Sequence, residues 1–473
     1  MGGMKKIIFP AGFVLAAIVG CSTIENAREA QREVHARGEE SGRCEAIEVV
    51  RLSDRSLSWM VGFALTNRPS VVAKRLAVED ARLALKEINA DAPLVSEVPW
   101  QAPKIAFNGK YSESSRGTTM REHDFATSGD PSLGLSLELL LWDFGRHDAR
   151  AKSQSEAVLA AEHSLVEEGY SVFSEVASAY FDFFEKAALY EVALTNETEY
   201  SEHFDRAKAM HEAGESQQLD VLRARLDYAS ARERTVNAYN SLLLAAVELT
   251  RSLGLEAGRV EPADFAIMAE KALTRRERVF EETRYSADQA FDFARTNAPA
   301  MKIVRARLRA AEADVDNAVA NLLPKISADV SLNWANPLWA WSWGLGLVQN
   351  VYGGLANQTA VDRAVVAMRN AAATVDESEQ QLSSSVASAV LSRDNARVVM
   401  LTAVESLEAA KENLQVVREK FGVGEASRVD YAEAVSSYTT ELGNSVSAFY
   451  TEQKREVELL SLMGIKPTYN KGE

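Results

Sequence analysis

The chain has 473 residues, 47% of them apolar, and a formal net charge of −16. So acidic a balance, with no basic patch interleaved with aromatics, excludes a generic binder of phosphate backbones, and no nucleic-acid partner is expected. Length alone would allow several ordinary domains, but internal repetition argues for one double-length architecture.

The first twenty residues read as a signal rather than as fold. Lys5 and Lys6 form a basic start, Ile7 to Val19 an apolar run too short for a stable span, and Gly20 precedes Cys21. This resembles a bacterial lipoprotein signal, with Ile18-Val19-Gly20-Cys21 as the lipobox and Cys21 as the lipidated first residue of the mature chain. Ser22 at the next position resembles outer-membrane sorting. An ordinary secretory signal cleaved nearby would instead leave Cys21 or Cys44 a stray thiol. A lone Cys directly after a small residue, at the end of the apolar run, favours lipidation. With Cys21 acylated, Cys44 has no partner and no disulfide framework is expected.

Residues 21–56 are charged, lack a sustained apolar period, and read as a tether. From Leu57 the pattern predicts a helix, a break at Pro69, and a second amphipathic helix to about Ile88. The same pattern returns from Phe291, with Thr66-Asn67-Arg68-Pro69 echoed by Thr296-Asn297-Ala298-Pro299. The repeats are therefore placed at 57–255 and 291–465, with a linker at 256–290 and a tail at 466–473.

Four segments with period-two alternation follow these helices, two in each repeat, and predict strands. Ile105, Phe107 and Tyr111 share one face, as do Leu133, Leu135, Leu137, Leu139 and Leu141. In the second repeat Ile326, Val330, Leu332 and Trp334 share a face, and then Trp339, Trp341, Trp343, Leu345 and Leu347. The opposite faces carry Ser136, Glu138, Asp329 and Asn333. An apolar face with aromatics toward an end, opposite a polar one, is the pattern of a membrane barrel wall with a wet interior. A soluble sandwich edge would alternate too, but two such hairpins in a secreted, lipidated chain favour the membrane. Four strands cannot close a barrel, and open edges are unsatisfied in lipid, so the barrel must be shared between chains. A dimer would give about eight strands and a filled lumen, a trimer about twelve and a passage. Inward Glu138 and Asp329 favour the trimer.

After each second strand a glycine turn redirects the chain into helix, at Gly145 and again at Gly353 and Gly354. No Gly-x-Gly-x-x-Gly or Lys-Ser/Thr pair accompanies them, so a phosphate loop is discounted. From Arg146 to Ala213, and from Leu355 to Val423, no proline occurs. An unbroken helix of that length would reach about 100 Å. In the second, Ala403, Leu407, Ala410, Leu414, Val417 and Phe421 alternate spacings of four and three, a coiled-coil seam.

Both long helices end in matching turns. Gly214, Asp220, Ala224 and Tyr228 correspond at one constant offset to Gly424, Asp430, Ala434 and Tyr438. Each turn reads as the tip of a helical hairpin, with Gly ending one helix and Ser or Glu capping the next. The returning helices should end near Gly254 and Gly464. Catalytic readings find no support: the six His form no cluster at metal-ligand spacing, and no nucleophile elbow is present. No enzyme activity, metal or cofactor is expected.

The fold class expected is thus mainly α with a small β part, in duplicated strand-strand-long helix-helix halves. This duplication, the Asn-x-Pro corners, the glycine turns after each hairpin and the Gly-x-x-x-x-x-Asp tips resemble the TolC family of outer-membrane channel proteins, and the lipobox resembles its lipoprotein branch. The resemblance implies a trimer in the outer membrane of a Gram-negative bacterium: a twelve-stranded barrel continuing into a twelve-helix periplasmic tunnel. It implies a periplasmic adaptor and an inner-membrane pump of RND or ABC type as partners, with small molecules such as drugs as cargo. Type I protein secretion, or a structural or receptor coiled-coil lipoprotein, are the alternatives. By motif, Gly214, Ser216, Asp220, Gly424 and Asp430 occupy adaptor-docking tip positions, and Asp430 with Glu433 resembles the acidic constriction ring. Asp430 could equally cap the start of its helix, where a carboxylate suits the dipole.

Overall fold

The computed structural model describes residues 27–32, 52, 55–93, 104–115, 127–214, 216–255, 267–268, 285–335, 338–349, 355–423 and 425–465. Two short helices open the first half, α1 (Leu57–Asn67) and α2 (Pro69–Ala90). Strands β1 (Lys104–Ser115) and β2 (Thr127–Trp142) follow, then α3 (Arg146–Glu212) and α4 (Gln218–Ser252). The second half repeats the order as α5 (Ala287–Asn297), α6 (Pro299–Ala320), β3 (Lys325–Ala335), β4 (Leu338–Val348), α7 (Ala356–Gly422) and α8 (Arg428–Met463). The mainly helical, duplicated architecture expected from the sequence is the one observed.

The two Asn-x-Pro corners show why each half opens with a pair of helices. Pro69 and Pro299 sit at the first helical position, where a missing N–H costs nothing. Asn67 and Asn297 cap backward instead, donating from Nδ2 to the carbonyls of Phe63 at 3.0 Å and Phe293 at 3.1 Å.

Helices α3 and α7 are each 67 residues long, about 100 Å, because nothing in either sequence breaks the i→i−4 ladder. Helix α3 packs on α1, α2, α4, α6 and α8, and α7 on α5, α6 and α8. On the α7 seam Ala403 and Ala410 are buried, and Leu407, Leu414, Val417 and Phe421 half-buried. Elsewhere the core thickens where the short helices lie against the long ones. One cluster joins Leu57, Met60 and Ala64 of α1 to Phe181 and Phe183 of α3 and Leu249 of α4. Its counterpart joins Ala290 and Ala294 of α5 to Leu382 and Val386 of α7 and Leu459 of α8.

The strands form one antiparallel sheet in the order β1-β2-β3-β4. Register places Leu137 between Ile105 and Val330, and Ser136 between Ala106 and Ser331. The alternation expected to continue through Leu141 does not. The β2–β3 pairing shifts between Leu140 and Trp142, so Trp142, not Leu141, stands opposite Ile326. An extra residue in one strand adds twist, here at the end where the strand turns into α3.

Candidate functional site

The sheet separates two chemistries by face. Across β2, β3 and β4 one face carries Leu135, Leu332 and Trp341 in one row and Leu137, Val330 and Trp343 in the next. Trp339, Trp341 and Trp343 are 64–72% exposed in the single chain, an apolar surface that water would not tolerate at this extent. The other face is small and polar. Ser136, Ser331 and Ser342 form one row and Glu138, Asp329 and Gly344 another. Ser331 and Ser342 hydroxyls lie 2.8 Å apart, and Asn333 Nδ2 donates to Ser331 Oγ at 3.2 Å. Glu138 and Asp329 are direct cross-strand partners, and Lys104 is the backbone partner of Glu138 on its other side. A Cβ on Gly344 would meet Asp329 Oδ1 at 3.0 Å, so the glycine leaves room for the carboxylate.

Where β2 ends, Trp142 stacks on Phe144, with centroids 5.2 Å apart. The chain then reverses through two positive-φ residues, Phe144 (φ 57) and Gly145 (φ 85). Asp143 Oδ2 accepts from His147 N at 2.7 Å, satisfying a donor of the first turn of α3. The Arg146 guanidinium donates to the carbonyls of Ala320 and Leu323, at 3.1 and 3.2 Å, tying the start of α3 to the end of α6. Sequence reading picked out Gly145 here and missed Asp143, Arg146 and His147. An Asp just ahead of the first helical residue was the available signal for the cap; nothing local pointed to the Arg146 contact. The equivalent glycines of the second half, Gly353 and Gly354, lie outside the described residues.

At the first tip Gly214 has φ 78, as a left-handed helix terminator requires. Ser216, expected to cap α4, does not. The N-cap is Gln217, without a side-chain bond, while the Ser216 carbonyl meets His211 Nδ1 at 2.8 Å. The Ser216 hydroxyl instead donates back to the Ala207 carbonyl of α3 at 3.5 Å. At the second tip Ser427 caps α8 in a reciprocal box. Its Oγ accepts from Asp430 N at 3.2 Å, and Asp430 Oδ2 accepts from Ser427 N at 3.0 Å. Those bonds from the Ser427 side chain and backbone hold the Asp430 carboxyl below its ordinary value. Phe421 stacks on Tyr431 at 5.0 Å, closing the tip. Glu433 is exposed one turn on.

Asp220 of α4 lines a cavity of about 390 Å³ together with Glu199 and His203 of α3 and Val429, Tyr431 and Ala432 of α8. Gly424 and the lipidation candidate Cys21 lie outside the described residues. Among the described residues no group of three or more His, Cys, Asp or Glu is placed to hold a metal ion, and no helix is long and apolar enough to cross a membrane.

A strand wall with one apolar and one polar face, continued by helices several times the ordinary length, is the architecture of a membrane duct. The family model for outer membrane efflux proteins matches residues 62–255 and 291–465, and the chain belongs to that family, one of channels rather than enzymes. Solved structures share its fold at low identity. CusC superposes with a TM-score of 0.71 at 19% identity, covering 90% of this chain and 98% of that one. VceC of Vibrio cholerae gives 0.70 at 15%, covering 86% and 96%. The CmeC outer membrane channel of Campylobacter jejuni gives 0.71 at 15%, covering 86% and 85%. A comparison with curated proteins finds no match.

Proposed function

We propose that three copies of this chain form the outer-membrane exit duct of a tripartite efflux system, passing small molecules such as drugs to the outside. The observation that carries this reading is the sheet. Its edge strands β1 and β4 each have one partner, and its faces are apolar and polar. Unpaired edges in lipid leave backbone groups unsatisfied, and three such sheets close a twelve-stranded barrel wide enough for a passage. The helices support the same closure: Leu222, Leu226 and Leu244 of α4, and Val366, Leu391 and Val398 of α7, are exposed in the single chain and need a neighbour.

In this reading outer-membrane lipid surrounds the barrel, and Cys21 carries a lipid anchor. Residues 57–255 and 291–465 are the two repeats, with 256–290 as the linker between them. The tips, with Gly214, Ser216, Asp220, Gly424 and Asp430, dock a periplasmic adaptor that couples to an inner-membrane pump of RND or ABC type. Asp430 and Glu433 of three chains form an acidic ring at the tunnel mouth. The cargo class is tested in a Gram-negative host lacking its own ducts, expressing this chain with a periplasmic adaptor and an inner-membrane pump. Restored resistance to small toxic compounds is the expected result. Export of a protein substrate without any gain in resistance would overturn it in favour of protein secretion.

A further inference from the structure

The two halves repeat position by position. Setting Arg146 on Ala356, Gln218 on Arg428 and Pro69 on Pro299 matches α3 with α7, α4 with α8 and α2 with α6. Positions that face their own half agree in burial: Val176 and Val386 are both buried, as are Leu249 and Leu459. Positions at the seam between the halves do not. There Phe181 and Ala188 of α3 share one apolar cluster with Val446 and Val457 of α8, and Ala306 and Ala313 of α6 are buried as well. All six are at most 2% exposed. Their counterparts, Leu391 and Val398 of α7, Val236 and Val247 of α4, and Leu76 and Leu83 of α2, are all at least 52% exposed.

The mismatch has a direction. Helix α3 is covered by α2 and α4 of its own half and by α6 and α8 of the other, whereas α7 has only α5, α6 and α8. What α7 lacks is an α2 and an α4 beyond it, and what they lack is an α7. We infer that the seam between copies of this chain repeats the seam between its halves, with α7 of one copy against α2 and α4 of the next, and that the repeat is neutral where the original is ionic. The inference rests on the trimer proposed above and adds which surfaces meet and by what chemistry. Bulk is exchanged in register: His163 of α3 stands beside Lys302 and Arg309, on the stripe of α6 that holds the small Ala306, while the counterparts are Ala373 and the large Leu76. Charge is exchanged too. Between the halves Lys454 donates to Asp182 at 2.6 Å and to Glu185 at 3.0 Å; the counterparts are Leu244, Ser392 and Asn395.

Cross-linking tests the seam. Across α3 and α8 the Thr439 hydroxyl donates to Asn196 Oδ1 at 3.3 Å, and the counterparts of Asn196 and Thr439 are Ser406 and Ala229. Two differently tagged chains, one with Ser406→Cys and one with Ala229→Cys, both in a Cys44→Ser background, are co-expressed and oxidised. A disulfide between the two tags is expected, and neither variant alone should form one. Leu244→Lys should lower the trimer fraction in native mass spectra about tenfold, and adding Asn395→Glu, which places the Lys454–Glu185 pair between copies, should restore it. Trimers that form without the disulfide, that ignore Leu244→Lys, or that Asn395→Glu fails to rescue would overturn the seam and leave the duct standing. Monomers from the unsubstituted chain would overturn both.

Discussion

Two glycines end the returning helices in the same way. Gly254 (φ 74) and Gly464 (φ 67) terminate α4 and α8 in the left-handed region, and each lies against the Asn-x-Pro corner of its own half. A Cβ at Gly464 would meet Asn297 O and Pro299 Cδ at 3.1 Å; at Gly254 it would meet Arg68 Cγ at 3.1 Å. Gly464→Ala should therefore cost about 1–2 kcal/mol through backbone strain alone, read as a lowered melting temperature in detergent. Gly62, in the middle of α1 with open space around it, is the control: Gly62→Ala should be neutral or slightly stabilising. A second test concerns Glu185, buried on α3. Burial opposes its ionisation, but the charge and hydrogen bond of Lys454, at 3.0 Å, aided by Lys186, outweigh burial and hold its carboxyl below the ordinary 4.5. Lys454 is opposed by burial too, but bonds to Asp182 and Glu185 raise it above 10.5. The depressed acid contributes stability that is present above about pH 4.5 and lost as pH falls toward its folded value. The raised base contributes stability present below about pH 10.5 and lost as pH rises further. Lys454→Met should cost about 3 kcal/mol by stranding Glu185 and flatten the acid side of the melting profile, and adding Glu185→Gln should recover most of the loss.

The sheet is the element whose two faces make opposite predictions. Leu137 lies on the face with Val330 and Trp343, and Ser136 on the face with Ser331 and Ser342. Leu137→Lys should reduce insertion by about 2–4 kcal/mol if the site lies near the bilayer midplane, whereas Ser136→Lys should be tolerated. Folding into lipid vesicles, followed by gel mobility, distinguishes them; equal impairment would mean that neither face lies against lipid. For the long helices the length follows from what is missing, since no proline interrupts 67 residues, and the closeness of packing follows from what is small. Ala403 and Ala410 are buried on a seam where bulkier residues would hold the partner away.

At the scale of the whole molecule the proposed assembly is a trimer. Native mass spectra in detergent should report three chains as the stable species, and dominant monomers or dimers would exclude the shared barrel. Asp430 tests how a tip works in that assembly. In the single chain its carboxylate completes a capping box, so its loss should weaken the start of α8, the more so above the pH at which it ionises. In a trimer three copies of Asp430 and Glu433 would also surround the tunnel mouth. Planar-bilayer recordings of Asp430→Ala with Glu433→Ala separate the two roles. A ring predicts weaker cation preference and relief of block by multivalent cations at the tip side. Unchanged selectivity with a lowered melting temperature would leave the cap alone.

The sequence by itself determined the duplication, the helix lengths, the two faces of the strands and the place of both tips. Each of these is written in spacing: period two, spacings of three and four, absent prolines, and one repeated offset. Periodicity reports which face of a local element is apolar, and composition reports where a helix can continue. Neither reports what meets across the fold. Tertiary structure alone decided that Arg146 reaches the carbonyls at the end of α6, that the Ser216 hydroxyl turns back to Ala207 instead of capping α4, and that β2 bulges before Trp142. Such contacts depend on how the two halves pack side by side, where a side chain's partner is set by the geometry of neighbouring elements and not by its place in its own.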